Sequence, residues 1–291
     1  MANKHVNKLV SVLRLTRVEH SAMLVVAVIA AELLSGGLPG AAALLLSAIA
    51  PIFISMASFA INDYYDIKVD RLNMKNRPLV TGELKPQDAQ LVSFVCFAVG
   101  IAAAALINAY AFVIAAVFAA LAFLYSYRLK ETFLLGNIYV ALTMVIPFIF
   151  GNYVDSNVLM GPIVLICAMV FLSGLAREIH GTIRDFRGDV KVRKAKTLPR
   201  VMGMRGAAAV AMVLYAAAIA ISAYLFLYVA PFAINLAYGA VILVSDLMLL
   251  YVGLGYVYTD KQKFYERTRN VSLIAMGLAL IGILVSPIVF I

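Results

Sequence analysis

Two short segments hold most of the residues whose types and spacing could do chemistry in this chain. The first reads Asn62-Asp-Tyr-Tyr-Asp66-Ile-Lys-Val-Asp70. Asn62, Asp66 and Asp70 stand four apart, so on a helix they share one face, and like charges at that spacing repel unless a cation sits between them. Hard oxygen ligands at a helix end beside bulk water suit Mg2+, which keeps several waters and is usually completed by substrate phosphate. A solvated helix end is the plain alternative for this motif taken alone.

The second segment weakens that alternative. Arg177-Glu-Ile-His180-Gly-Thr182-Ile-Arg184-Asp185-Phe-Arg187-Gly-Asp189 repeats the spacing of four between Asp185 and Asp189. The downstream text corresponds as well, with Arg77-Pro78-Leu79 after the first motif and Thr197-Leu198-Pro199 after the second. A weak internal repeat of this kind would bring two acidic helix ends together across a shared cavity, as repeats do in many membrane proteins. Facing carboxylate pairs mixed with Arg71, Arg77, Arg184, Arg187 and Lys191 are what a diphosphate leaving group requires. Metal ions bridge its oxygens and neutralise the charge that develops as the carbon–oxygen bond breaks, and arginines add bidentate clamps. An adjoining apolar cavity would hold an isoprenoid tail and keep water from an allylic cation.

The elements that position these groups follow from composition. A chain of 291 residues that is 64% hydrophobic and 13% charged, with mean hydropathy +0.96, cannot hide its apolar surface in one water-soluble core. The bilayer must be its solvent. Apolar stretches of about 20 residues, enough to cross hydrocarbon, recur nine times, centred near residues 28, 50, 98, 118, 143, 168, 217, 243 and 280. The first, Ser21 to Leu38, follows Lys4, Lys8, Arg14 and Arg17 as a signal peptide would, but more spans follow it and no small-residue cleavage site does, so it reads as a membrane helix. Cys96 and Cys167 lie inside spans with no metal or redox spacing and read as packing residues.

All 24 Lys and Arg residues precede span 1 or fall in the connections from an even-numbered span to the next odd one. The positive-inside rule therefore expects a cell-membrane protein whose N-terminus and acidic segments face the cytoplasm and whose C-terminus lies outside. The net charge of +9 is a topological signal and not a nucleic-acid footprint; such a face attracts anionic membrane lipids or phosphorylated substrates. The opposite connections, such as Ser35 to Gly40, carry turn formers and almost no chemistry.

Asn62-x-x-x-Asp66-x-x-x-Asp70 followed by Arg77-Pro78, with Asp185-x-x-x-Asp189 after the sixth span, resembles the paired signature of the UbiA-type intramembrane prenyltransferases. The resemblance covers essentially the whole chain, since the number of spans and the place of both motifs agree. It implies an all-α integral membrane protein of nine transmembrane helices around a central cavity. Residues 1–291 would form a single prenyltransferase domain, with Asp-rich cytoplasmic loops at about 62–87 and 177–205. Asn62-Asp-Tyr-Tyr-Asp66, Leu124-Tyr-Ser-Tyr-Arg-Leu-Lys130, Leu135-Gly-Asn137 and Arg177-Glu-Ile179 look most like the archaeal digeranylgeranylglyceryl phosphate synthases. That likeness implies Mg2+-dependent transfer from geranylgeranyl diphosphate to geranylgeranylglyceryl phosphate in ether-lipid synthesis. Arg77-Pro-Leu-Val-Thr-Gly82 is also similar to haem farnesyltransferases, although the distance from Asp70 is shorter, so haem or an aromatic quinone precursor is the alternative acceptor. Members close to the lipid synthases often carry an acidic residue where this chain has Thr182, Arg184 or Arg187, and the more basic second site would suit a phosphorylated acceptor.

On this reading Asn62, Asp66 and Asp70 hold one Mg2+, Asp185 and Asp189 hold another, and the four aspartates among them are catalytic. Arg71, Arg77, Lys130, Arg184, Arg187, Tyr125 and Asn137 bind diphosphate or acceptor. Tyr125, Tyr127 and Lys130 serve equally as an interfacial anchor or as rings stabilising the cation, and Asn137 equally as a helix cap. Asp246, inside span 8, is by default a functional candidate, with a structural hydrogen bond at even weight. Glu32 is expected to reach the outer interface, and His180 is a weak base candidate. The rival class is a transporter, which would place charged sites at the midplane; here the acidic groups gather at one interface, which favours the enzyme.

Overall fold

The computed structural model describes residues 7–132, 134–192 and 197–289, except the side chains of residue 131 and of residues 187–192. Every long element among them is an α-helix: α1 Lys8–Thr16, α2 Ser21–Ser35, α3 Ala41–Leu72, α4 Pro78–Thr81, α5 Pro86–Ala105, α6 Ala109–Tyr127, α7 Leu135–Asp155, α8 Gly161–Val192, α9 Leu198–Tyr228, α10 Leu236–Tyr258 and α11 Gln262–Val289. Among the described residues nine stretches are long and apolar enough to cross a membrane, the first running Lys8–Ser35 through α1, a short 3-10 turn and α2. In hydrocarbon each backbone N–H and C=O needs a partner within its own segment, which is why spans are helices. Asparagines begin several of them: Asn108 Oδ1 accepts from Ala111 N at 2.8 Å and Asn235 Oδ1 from Tyr238 N at 3.1 Å.

The acidic segments expected as loops are largely helical. α3 runs without interruption through Asp63, Asp66 and Asp70, and α8 through Asp185 to Val192. Leaving the apolar layer does not end a helix whose backbone bonds are already made.

The chain divides into two compact units, Met1–Val25 with Pro39–Lys130, and Val26–Leu38 with Glu131–Ile291. In the first, α3 packs against α5, α6 and α1. Small residues line these seams: Ala50, Ala57 and Ala60 on α3, and Ala111, Ala115, Ala119 and Ala122 at helical spacing on α6. Small side chains let membrane helices approach closely, so dispersion replaces the hydrophobic force that lipid cannot supply. In the second unit Ala27, Ala30 and Ala31 of α2 share a core with Phe148, Ile163 and Ile166, and α8 to α11 pack as neighbours. Large apolar side chains such as Leu45, Leu91, Phe94, Val213 and Leu243 point outward, where a bilayer would solvate them.

Four sequence expectations meet the structure within these units. Asp246 receives the Ser222 hydroxyl at 2.5 Å, a hydrogen bond between α10 and α9 that supports the structural reading. Glu32 does not reach an interface; its side chain is 1% exposed. Asn137 is not a cap, because Leu134 occupies the N-cap position of α7. Cys96 and Cys167 are free thiols packed among apolar neighbours, as expected.

Gly151 of α7 allows one such approach of backbone to backbone: a Cβ there would lie 3.0 Å from the Cα of Val28 on α2 and nearer still to its carbonyl oxygen. Neither backbone atom can yield as a flexible side chain would. Gly151→Val is expected to lower stability by about 1–3 kcal/mol, the usual cost of overpacking. Gly36→Ala, with nothing within 4 Å, should leave it unchanged. Thermal unfolding in detergent, followed by circular dichroism, checks both.

Candidate functional site

The first acidic segment is organised by a short helix ahead of the first long apolar one. Asn7 caps α1 by accepting from Leu9 N at 3.0 Å, and Ser11, Leu15 and Thr16 form its buried side. The Ser11 hydroxyl donates to Glu83 at 2.8 Å and Arg14 pairs with the same carboxylate at 2.9 Å, which docks α1 onto the link between α4 and α5. The Ser11 hydrogen bond, supported by those from Thr81 and Arg14, holds the Glu83 carboxyl below its ordinary value of 4.5. Arg17 ends α1 in the left-handed conformation at φ 47. Its guanidinium reaches Asp63 at 2.6 Å and lies 4.7 Å from the centre of the Phe59 ring.

Asp63, Asp66 and Asp70 form one buried stripe on α3, only 2%, 8% and 2% exposed. Arg77 donates to both Asp63, at 2.6 Å, and Asp70, at 2.5 Å. It can do so because the residue before a proline is confined to extended backbone: Arg77 has φ −113 and ψ 146 ahead of Pro78, and the chain turns back on the end of α3. Lys75 pairs with the other oxygen of Asp70 at 2.8 Å, and Lys130, just past α6, donates to Asp66 at 2.7 Å. Four cations thus meet three carboxylates, and the surplus positive charge suits a polyanion.

Of the expected set Asn62, Asp66 and Asp70, the two aspartates lie in this stripe and Asn62 is half-buried beside it, while Asp63 joins the stripe as a further buried carboxylate. Positions 63, 66 and 70 are related as i, i+3 and i+7, which is also a single helix face, so the pattern was open to reading. Arg77 and Lys130, both expected to bind diphosphate, pair with this stripe, whereas Arg71 is exposed and enters none of these pairs. Arg17 and Lys75 were missed. Tyr125 is half-buried, and the exposed Tyr127 packs edge-on against Tyr65 at 5.7 Å between centroids.

Among the described residues no three His, Cys, Asp or Glu side chains are gathered to hold a metal ion by themselves. Mg2+ does not demand such a cage, since it is held by one or two carboxylates completed by substrate phosphate and water. Hard oxygens at the polar end of α3, among cations that a phosphate would also engage, fit that ion.

In the second unit, α8 carries Arg177, Glu178, His180, Arg184 and Asp185 on successive turns. Arg184 grips Asp185 through Nε and Nη2, both at 2.8 Å, and Arg177 pairs with Glu178 at 3.2 Å. The Asp185 side chain is 53% exposed. His180 is buried, stacked on Tyr256 with centroids 3.8 Å apart. The side chains of Arg187 and Asp189 lie outside the described residues. Asn137 is in this unit, partly exposed in the first turn of α7.

Residues 23–274 match the UbiA prenyltransferase family. A digeranylgeranylglyceryl phosphate synthase of Archaeoglobus fulgidus is 36% identical over 240 residues, 82% of this chain and 82% of that protein. Among solved structures, one from a study of the digeranylgeranylglyceryl phosphate synthase in membranes is similar with a TM-score of 0.81 at 25% identity, over 97% of this chain and 99% of that one. A UbiA homolog from Archaeoglobus fulgidus bound to GPP and Mg2+ shares the fold, with a TM-score of 0.64 at 23% identity over 94% of this chain and 99% of the other.

The ion pairs differ in what their loss should do. Arg77 is 23% exposed against carboxylates at 2%, so Arg77→Met should cost about 3–5 kcal/mol by leaving buried charge uncompensated. Lys75 is 43% exposed, and Lys75→Met should cost about 1 kcal/mol or less. Unfolding midpoints of the two variants decide this ordering. A carboxyl held low, as Glu83 is, stabilises above its ordinary pKa and loses that contribution as pH falls through the lowered value. Glu83→Gln should therefore loosen α1 at neutral pH, read as faster trypsin cleavage after Arg14 than in wild type at the same pH.

Proposed function

Because the chain belongs to the UbiA prenyltransferase family and is a multi-pass membrane prenyltransferase, we propose that it joins geranylgeranyl diphosphate to geranylgeranylglyceryl phosphate in ether-lipid synthesis. The observation that carries the donor half is the stripe of Asp63, Asp66 and Asp70 set among Arg17, Lys75, Arg77 and Lys130. The acceptor half is supported by the 36% identity to a digeranylgeranylglyceryl phosphate synthase and by the arginines on either side of Asp185, Arg184 and Arg187.

Asn62, Asp66 and Asp70 would hold one Mg2+, and Asp185 with Asp189 another. Bound there, Mg2+ supplies neutralisation of diphosphate charge. Arg77 and Lys130 would orient diphosphate oxygens by charge-assisted hydrogen bonds. As the allylic carbon–oxygen bond breaks, its electron pair leaves with the diphosphate. The acceptor hydroxyl oxygen then bonds to the allylic carbon, and its proton passes to diphosphate or water. The side on which all Lys and Arg fall would face the cytoplasm, where water-soluble diphosphate is released.

Purified protein is assayed with labelled geranylgeranyl diphosphate and geranylgeranylglyceryl phosphate, with and without a chelator. Asp66→Ala and Asp185→Ala should each lower transfer by about 100-fold or more, the scale of losing preorganised charge stabilisation, and chelation should abolish it. Undiminished transfer in either variant removes that residue from the metal site.

A further inference from the structure

Within the second unit lies a cavity of about 280 Å³ between one face of α8, the end of α10 and the start of α11. Arg177, His180 and Arg184 line it at i, i+3 and i+7 on α8, with Tyr256 from α10 and Thr268 and Arg269 from α11. Gly181 keeps it open on the α8 side, since the only atom near a Cβ there would be Arg184 Nη2 at 4.0 Å. The volume lies at the small end of ligand pockets, which run from about 300 to 1,000 Å³. It has room for a polar headgroup and not for a long prenyl chain.

The lining is built and incompletely satisfied. His180 is 4% exposed, and neither ring nitrogen has a hydrogen-bond partner among the described residues. Its ring is held between Tyr256, stacked at 3.8 Å, and the edge of Tyr215 at 5.3 Å. Arg177 Nε is buried and likewise without a partner there. Buried polar groups are normally satisfied, so such a cluster marks something that completes it. Glu178 and Asp185 are already engaged by Arg177 and Arg184, and Arg269 has no ion pair among the described residues, so the lining keeps an excess of positive charge. No three metal-ligating side chains converge there. The chemistry that fits is an anion with several acceptor oxygens next to a hydroxyl.

We propose that this cavity binds the phosphate headgroup of the acceptor lipid. Arg177, Arg184 and Arg269 take the phosphate oxygens, and His180 hydrogen-bonds a headgroup hydroxyl. The proposal rests on the reading that the acceptor is phosphorylated and adds where that phosphate is recognised. The same oxygens occur on the diphosphate of the donor, so the test separates the two sources.

Binding to full-length protein in detergent is measured, without turnover, for geranylgeranylglyceryl phosphate, its dephosphorylated diol and geranylgeranyl diphosphate. Arg269 is exposed, so Arg269→Gln should fold; it should weaken the phosphorylated acceptor about 10-fold, the scale of one charge-assisted contact, and change diol and diphosphate less than twofold. His180→Phe keeps the ring stack and removes the unpartnered nitrogens. It should raise the unfolding midpoint while weakening phosphorylated acceptor and diol alike. Weakened diphosphate binding in Arg269→Gln would assign the cavity to the donor and overturn the proposal. A raised midpoint with unaltered acceptor binding in His180→Phe would also overturn it. If wild type binds the phosphorylated acceptor through Arg269 yet never prenylates it, the acceptor reading fails and the headgroup site stands. Prenylation with an Arg269→Gln KM equal to wild type would leave the acceptor reading intact and refute the site.

Discussion

Three carboxylates buried on one face of a membrane helix cannot remain ionised without cations beside them, and much of the first unit is arranged to meet that demand. Removing one charge from water costs several kcal/mol even after relaxation, and the stripe on α3 contains Asp63, Asp66 and Asp70 within two turns. Each cation that answers it comes from outside α3: Arg17 from the end of α1, Lys75 and Arg77 from the segment after α3, and Lys130 from just past α6. The left-handed turn at Arg17, the extended backbone before Pro78 and the docking of α1 on Glu83 can all be understood as means of delivering these charges.

The rest of the packing answers to a different solvent. Lipid gives helices no hydrophobic reason to associate, so the seams are lined with alanine and glycine, and the larger apolar side chains turn outward. Polar groups inside the spans pair locally, as Ser222 does with Asp246. The His180 ring nitrogens and Arg177 Nε depart from that rule, as do the hydroxyls of Tyr215 and Tyr238, and the first two coincide with a cavity and with an excess of positive charge. Both acidic segments carry surplus cations, as enzymes that handle phosphorylated lipids need, because the same guanidinium and ammonium groups can pass from a carboxylate to a phosphate oxygen with little movement.

Period, composition and charge were sufficient to derive helices, their number and their place in a bilayer, because a span must be continuous, apolar and helical whatever surrounds it. Asp66, Asp70, Arg77 and Lys130 could be singled out for the same reason: ionisable groups at the ends of apolar spans have few ordinary explanations. What only the tertiary structure decided were contacts between elements far apart in the chain. Arg17 looked like one more topogenic charge until α1 folded onto α3, 46 positions away from its carboxylate partner. Asp63 drew no notice in the sequence until packing buried it against Arg17 and Arg77. Glu32 was expected at an interface, and whether a side chain near a span end is covered depends on which helices neighbour it. His180 was a lone histidine in the sequence; its meaning arises from Tyr256, Thr268 and Arg269, supplied by two later helices. Local patterns specify which groups a helix presents, but long-range packing specifies what they meet, and the partners that set a buried group's energy are rarely its neighbours in sequence.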